Sequence, residues 1–166
     1  MTMTDSNVAT ARALSSETAQ YLTFLLNEQE YGVELLRIQE IRGYTDITPL
    51  PNVPAYVKGM LNLRGTVLPV LDLRSRFGIP EVPYTKFTVI VIANVGTRVV
   101  GLIVDSVSDV LTVAREEIEP APDFGTPANA NLVSGMIKNN DRLAVLLDLD
   151  RILSLDASVE AALPVN

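Results

Sequence analysis

The strongest constraint on this chain is that it aligns with itself. Gly59-Met60-Leu61 through Phe77 lies over Gly135-Met136-Ile137 through Leu153 without a gap, and both copies carry an apolar run ending Leu-Asp-Leu, at 71–73 and 147–149. A second alignment sets Tyr21 to Leu26 over Phe87 to Ile92, then Gly32 to Ile41 over Gly101 to Val110 after a three-residue insertion. Two copies are too few for a solenoid, so the duplication predicts two similar units in contact with a groove between them.

Local patterning gives the class of those units. From Tyr21 onward, short apolar runs alternate with Gly, Pro and Asn/Asp, and Phe87-Thr88-Val89-Ile90-Val91-Ile92 is strongly β-branched and aromatic. This predicts an all-β fold with a few short helices, in which each copy supplies about enough strands to close a small barrel. With 166 residues in total, neither half buries enough surface to stand alone. The halves are expected to share a core or exchange a strand. The expected organisation is a disordered tail over 1–19, a single domain over 20–154 with barrels at about 20–84 and 85–154, and a C-terminal tail over 155–166. Leu35, Ile38 and Ile41 recur at every third position before Gly43, which predicts a helical turn, whereas the β-branched counterparts Val104, Val107 and Val110 predict extended chain. Pro69, inside the run Val67 to Leu73, predicts an edge strand or a bulge.

Composition removes whole classes of function. The chain has no Cys, His or Trp, so thiol nucleophiles, disulfides, Cys/His zinc sites and Ser-His-Asp triads are excluded. An excess of 20 acidic over 13 basic residues gives a formal charge of -7, which disfavours nucleic acid or anionic lipid as a partner. The longest apolar runs are strand-sized, and the Thr/Ser/Ala-rich start does not read as a signal peptide. The expected compartment is the cytoplasm, without insertion into a membrane.

Where the copies agree, structure is the simpler explanation. Asp72 and Asp148 each end an apolar strand before a helical turn, where a carboxylate caps free N–H groups. Where the copies differ, one half can have acquired a task. The later copy has Asn139-Asn140-Asp141 at its second hairpin, which is ordinary turn chemistry, but the earlier copy has Asn62-Leu63-Arg64-Gly65. A turn requires neither an exposed Leu nor an Arg, and Arg is a frequent interface anchor. The segment Ile38-Gln39-Glu40-Ile41-Arg42-Gly43-Tyr44 likewise places Glu, Arg and Tyr beside an apolar turn, the composition of a polar interface rim.

These fragments, with Glu30-Tyr31-Gly32, Val57-Lys58-Gly59, Leu71-Asp72-Leu73-Arg74, Arg98-Val99-Val100-Gly101, Val107-Ser108-Asp109-Val110-Leu111 and Pro120-Ala121-Pro122, closely resemble the CheW family of chemotaxis coupling proteins. The similarity spans about residues 20–154, in order and at family spacing. It implies two SH3-like barrels and a non-enzymatic adaptor that joins a CheA-type histidine kinase to the tips of methyl-accepting chemoreceptors. By that likeness a receptor's helical tip contacts Ile38, Glu40, Gly59, Asn62, Arg64 and Val110. The kinase regulatory domain packs near Ile41 and Tyr44, and a second kinase contact falls at Pro120 through Phe124. Some relatives carry a basic residue just before this Pro-Ala-Pro run, where this chain has Glu119. The resemblance implies no cofactor or metal, and a monomer that joins receptor arrays at the inner membrane.

Two other readings are available. An enzyme would have to gather Asp72, Asp105, Asp109 and Asp148 around a magnesium ion. A small-molecule sensor would need an unfilled barrel, whereas the apolar strands predict filled ones.

Overall fold

The computed structural model describes residues 17–120 and 132–153. Its strands are β1 (Thr18–Leu26), β2 (Gln29–Glu34), β3 (Ile38–Gly43), β4 (Val57–Leu63), β5 (Thr66–Asp72), β6 (Val89–Val95), β7 (Arg98–Val104), β8 (Ser106–Ala114), β9 (Val133–Asn139) and β10 (Arg142–Leu147). Two short helices, α1 (Leu73–Arg76) and α2 (Leu149–Leu153), follow β5 and β10. They begin at Asp72 and Asp148, whose carboxylates accept the Arg74 and Arg151 backbone N–H groups at 2.9 and 3.2 Å, as the strand-end reading predicts.

The strands form two five-stranded sheets, ordered β8-β1-β2-β10-β9 and β3-β6-β7-β5-β4. The second is built from one continuous stretch of chain and is called here the middle barrel; the first is assembled from both ends and is called the outer barrel. A boundary near residue 84 therefore does not separate the sheets. Hairpin β1–β2 of the first copy joins the second copy's strands, and β6–β7 joins the first copy's. The repeat records which segments are alike, whereas pairing is decided by which partner strands each hairpin meets.

Each sheet is closed by one antiparallel bridge at the repeated Gly-Met pair. Thr48, beyond β3, bridges Met60 of β4 with N–H···O distances of 3.0 and 2.8 Å. Glu119, beyond β8, bridges Met136 of β9 at 2.8 and 2.9 Å. The adjacent glycines make this approach possible: a Cβ on Gly59 would lie 2.0 Å from the Thr48 carbonyl oxygen, and one on Gly135 would lie 2.9 Å from that of Glu119.

Alternation along the strands feeds three cores. Ile90 and Ile92 point into the middle barrel with Leu68 and Val70, and Tyr21 points into the outer barrel with Ile137, Ala144 and Leu146. The largest core lies on the intervening faces, where Leu22, Phe24 and Leu26 of β1 meet Val91 and Ala93 of β6, Leu71, Leu73, Leu147 and Leu149. The halves thus share a core.

Several local expectations are revised by this pairing. The helical turn is limited to a 3-10 turn at Leu35–Arg37, because Ile38 to Gly43 pair with Ala93 to Val89 of β6. β5 is an interior strand; its parallel pairing with β7 begins only at Val70, so the missing N–H of Pro69 breaks no ladder bond on that side. The hairpins match with no insertion, since Thr23 faces Gly32 as Ile92 faces Gly101; Phe87 precedes β6 and is 63% exposed. Thr18 and Ala19, expected in a tail, pair with Ala114 and Val113 of β8. The remainder of both expected tails, up to residue 16 and from 155, lies outside the described residues.

The chain crosses between barrels twice, at Leu35–Arg37 and at Asp105, and an ion pair holds each crossing. The Arg74 guanidinium grips Asp105 through two hydrogen bonds of 2.7 and 2.6 Å, and Asp105 also accepts the Asn27 N–H at 2.9 Å. Arg37 donates to both oxygens of Asp150 at 2.9 and 3.0 Å. Burial pushes the Asp105 carboxyl upward, but the hydrogen bonds from Arg74 and Asn27 outweigh it and leave it below the usual carboxylate range.

Two outcomes follow. Gly59→Ala, which adds a clash to a φ of +146°, is expected to lower unfolding free energy by about 3 kcal/mol or more. Gly135→Ala, whose φ needs no glycine, should cost less, and urea melts of both variants check the order. Because the folded-state value of Asp105 is the lower one, its contribution is present above the ordinary Asp value of about 3.9 and is lost as pH falls through the folded value. Arg74→Met is therefore expected to cost about 2 kcal/mol at neutral pH, and equilibrium unfolding at pH ~3 should show a smaller difference from the parent chain.

Candidate protein interaction site

The β4–β5 turn gathers the candidate residues most tightly. Arg64 and Gly65 both adopt positive φ, 52° and 89°, the pattern of a type I′ hairpin turn. The Asn62 side chain accepts the Gly65 N–H at 3.0 Å and braces the loop. Leu63, expected to be exposed, is 6% exposed and fills the middle barrel, so the core accounts for it. Arg64 has no such explanation. Its counterpart in the second copy is Asn140, at φ 57°. Asn tolerates the left-handed region, whereas for Arg it costs about 1 kcal/mol.

Arg64 is held out from the tip, 71% exposed, by Glu40 of β3: its Nη2 donates to Glu40 Oε1 at 2.6 Å, and Arg42 Nη1 lies 3.9 Å from the other oxygen. The hydrogen bond to Arg64 is the main reason the Glu40 carboxyl lies below its usual range. Nearby on the same strand Ile41 is 42% exposed. Val110, opposite Leu22 on β8, corresponds to Ile41, opposite Val91 on β3, and is also exposed; the two aliphatics thus occupy equivalent positions on different barrels.

Two other candidates are engaged inside the fold. Ile38 packs against the shared core, and Gly59 lies buried under Thr48. The Tyr44 ring sits 4.4 Å from that of Tyr84, whose hydroxyl donates to the buried Asp72 at 2.8 Å. Burial and then this bond push the Tyr84 phenol well above its usual range. Pro120 is exposed just beyond the Glu119–Met136 bridge, and the Glu119 carboxylate lies 3.8 Å from Lys138. Phe124 lies outside the described residues.

Among the described residues no three acidic side chains gather as a metal site would require. Asp72 and Asp148 are caps, Asp105 is gripped by Arg74, and Asp109 accepts the Val110 N–H. Nor is any described helix long and apolar enough to cross a membrane. Sequence reasoning missed the Arg74–Asp105 clasp and the Tyr44–Tyr84–Asp72 stack. Arg74 was visible as a difference between copies, since Asp150 stands at its counterpart, but nothing local marks Asp105 as its partner.

A family model described as the CheW-like domain matches residues 20–157. A chemotaxis protein CheW of Klebsiella aerogenes is 40% identical over 97% of this chain and 96% of its own length. One of Rhizobium meliloti is 39% identical over 86% of this chain and 92% of its own. The crystal structure of the scaffolding protein TtCheW from Thermoanaerobacter tengcongensis superposes with a TM-score of 0.78 at 31% identity, covering 83% of this chain and 94% of that one. On sequence and fold together, this chain belongs to the CheW family of chemotaxis scaffold proteins.

Proposed function

We propose that the chain couples a CheA-type histidine kinase to the cytoplasmic tips of methyl-accepting chemoreceptors, acting without catalysis. The reading is carried by Arg64, a long cation kept 71% exposed at a left-handed turn position that the second copy fills with Asn140. The exposed pair with Glu40 adds little to stability, so a partner contact is the better account of arginine at this position. The Glu40 carboxylate aims the guanidinium, and Asn62 stiffens the loop beneath it, which lowers the entropy lost when a helical partner docks. Ile38, Gly59 and Val110 complete the receptor contact in this reading, with Ile38 and Gly59 shaping the backbone and Val110 giving apolar surface.

The kinase regulatory domain packs on the middle barrel through Ile41 and Tyr44. A second kinase contact, through Pro120 and Phe124, closes the rings of an extended array. The isolated protein is a cytoplasmic monomer, recruited to inner-membrane receptor clusters through its partners rather than by lipid.

Co-sedimentation with receptor-containing membranes and the kinase, with autophosphorylation read in the same tubes, tests the coupling. Arg64→Asn should raise folding stability by ~0.5 kcal/mol by relieving the turn, yet weaken receptor association. Arg64→Glu should weaken it further, through repulsion with Glu40, while stability moves by about 0.5 kcal/mol or less. Unchanged receptor binding in both folded variants would remove Arg64 from the site. For Phe124→Ala, binary binding to each partner should persist while ordered arrays fail to form under the electron microscope.

A further inference from the structure

The outer barrel departs from its counterpart at one interior position. Val99 of β7, two residues before Gly101, packs against the middle barrel's core; the matching residue of β2, two before Gly32, is Glu30, whose side chain is only 4% exposed. Its Oε2 is near the Ser108 hydroxyl at 3.3 Å and Arg142 Nη1 at 3.7 Å, but its Oε1 is shielded from solvent and has no hydrogen-bond partner. Glu30 lies at a recess of about 380 Å³, lined also by Leu25, Glu28, Gln29, Arg142 and Leu143.

This barrel design works with an aliphatic residue at the position, as Val99 demonstrates, so a carboxylate is not required by the fold. A buried carboxylate oxygen without a donor is unfavourable until something supplies one. Arg142 answers this poorly: its side chain is 70% exposed and approaches only the other oxygen, beyond hydrogen-bond length. The recess has the volume of a small-molecule site. Glu28 and Glu30 favour positive charge, while Leu25 and Leu143 offer apolar wall on either side.

We propose that this recess binds a small organic cation, an alkyl ammonium or alkyl guanidinium. Its charged head pairs with the Glu30 carboxylate in place of the exposed Arg142 side chain, and its methylene chain lies against Leu25 and Leu143. The site is on the outer barrel and does not depend on the coupling role.

Isothermal titration of the full chain with agmatine and putrescine, beside uncharged 1-pentanol, tests the assignment. Saturable binding of a cation but not the alcohol is expected, at least tenfold weaker in Glu30→Gln and undiminished in Arg142→Ala. Absence of saturable binding by either cation would overturn the proposal, as would equal binding in Glu30→Gln. Loss of cation binding in Arg142→Ala would also overturn it, since removing a competing cation cannot weaken a cation site held by Glu30. Glu30→Val, which installs the other barrel's residue, should fold with a Tm at or above that of the parent chain. A lower Tm would assign Glu30 to the fold and remove the reason for a ligand.

Discussion

Every other feature of the molecule depends on the exchange of hairpins between its two copies. Hairpin β1–β2 completes a sheet whose other strands come from the second copy, and β6–β7 completes one whose other strands come from the first. The joints are parallel pairings, Gly32 opposite Leu146 and Gly101 opposite Val70. Glycine lets neighbouring side chains pack closely at both: a Cβ at Gly32 would sit 3.0 Å from Leu146 Cδ2, and one at Gly101 would sit 2.9 Å from Ile90 Cγ2 and 3.3 Å from Val70 Cγ2. Once exchanged, β1 and β6 have apolar residues on both faces, one filling a barrel and the other the core between barrels. Neither barrel can close without chain contributed by the other copy, so stability and the spacing between the barrels are set together.

Charge distinguishes the exchanged arrangement from its alternative. α1 carries Arg74 and meets the crossing at Asp105; α2 carries Asp150 at the equivalent position and meets the crossing at Arg37. Had each hairpin stayed with its own copy, α1 with Arg74 would adjoin the crossing that carries Arg37, and α2 with Asp150 the crossing that carries Asp105. Like charges would then meet at both crossings, and for the largely buried Arg74 the loss of its partner would leave a desolvated cation. The exposed Arg37–Asp150 pair adds little to stability by itself. Its value is in discriminating between two pairings that apolar burial, alike in both copies, separates poorly.

The duplication and the all-β class were legible in the sequence because each rests on period and composition. The repeated Gly-Met pair was visible as a motif, but its meaning was not. Only the backbone of Thr48 and Glu119, brought back across the sheet, shows that these glycines admit a closing strand. An exchange was one of the two expected arrangements, but its place was hidden, since the two hairpins are so alike that no local pattern says which strands each will join. Ile38 and Ile41 misled for a related reason: a spacing of three fits a helical turn, but pairing with β6 extends the chain and leaves Ile38 against the core and Ile41 exposed. At the candidate site, the sequence singled out Arg64 through its departure from Asn140. It gave no sign that Glu40 would be its partner, nor that Leu63 would turn inward.

Comparison of the copies separates the demands of folding from those of binding in a way one barrel could not. Positions that agree, such as Gly59 with Gly135 and Asp72 with Asp148, are explained by closure and capping. Positions that differ in charge fall into two groups. Arg74 and Asp150 differ because each must match an opposite crossing, so their divergence belongs to the fold. Arg64 stands where the other copy has Asn140, a residue suited to the left-handed backbone, and Glu30 stands where the other copy has the aliphatic Val99. Closure and capping therefore account for neither residue, and the contacts proposed for this chain fall at these two positions.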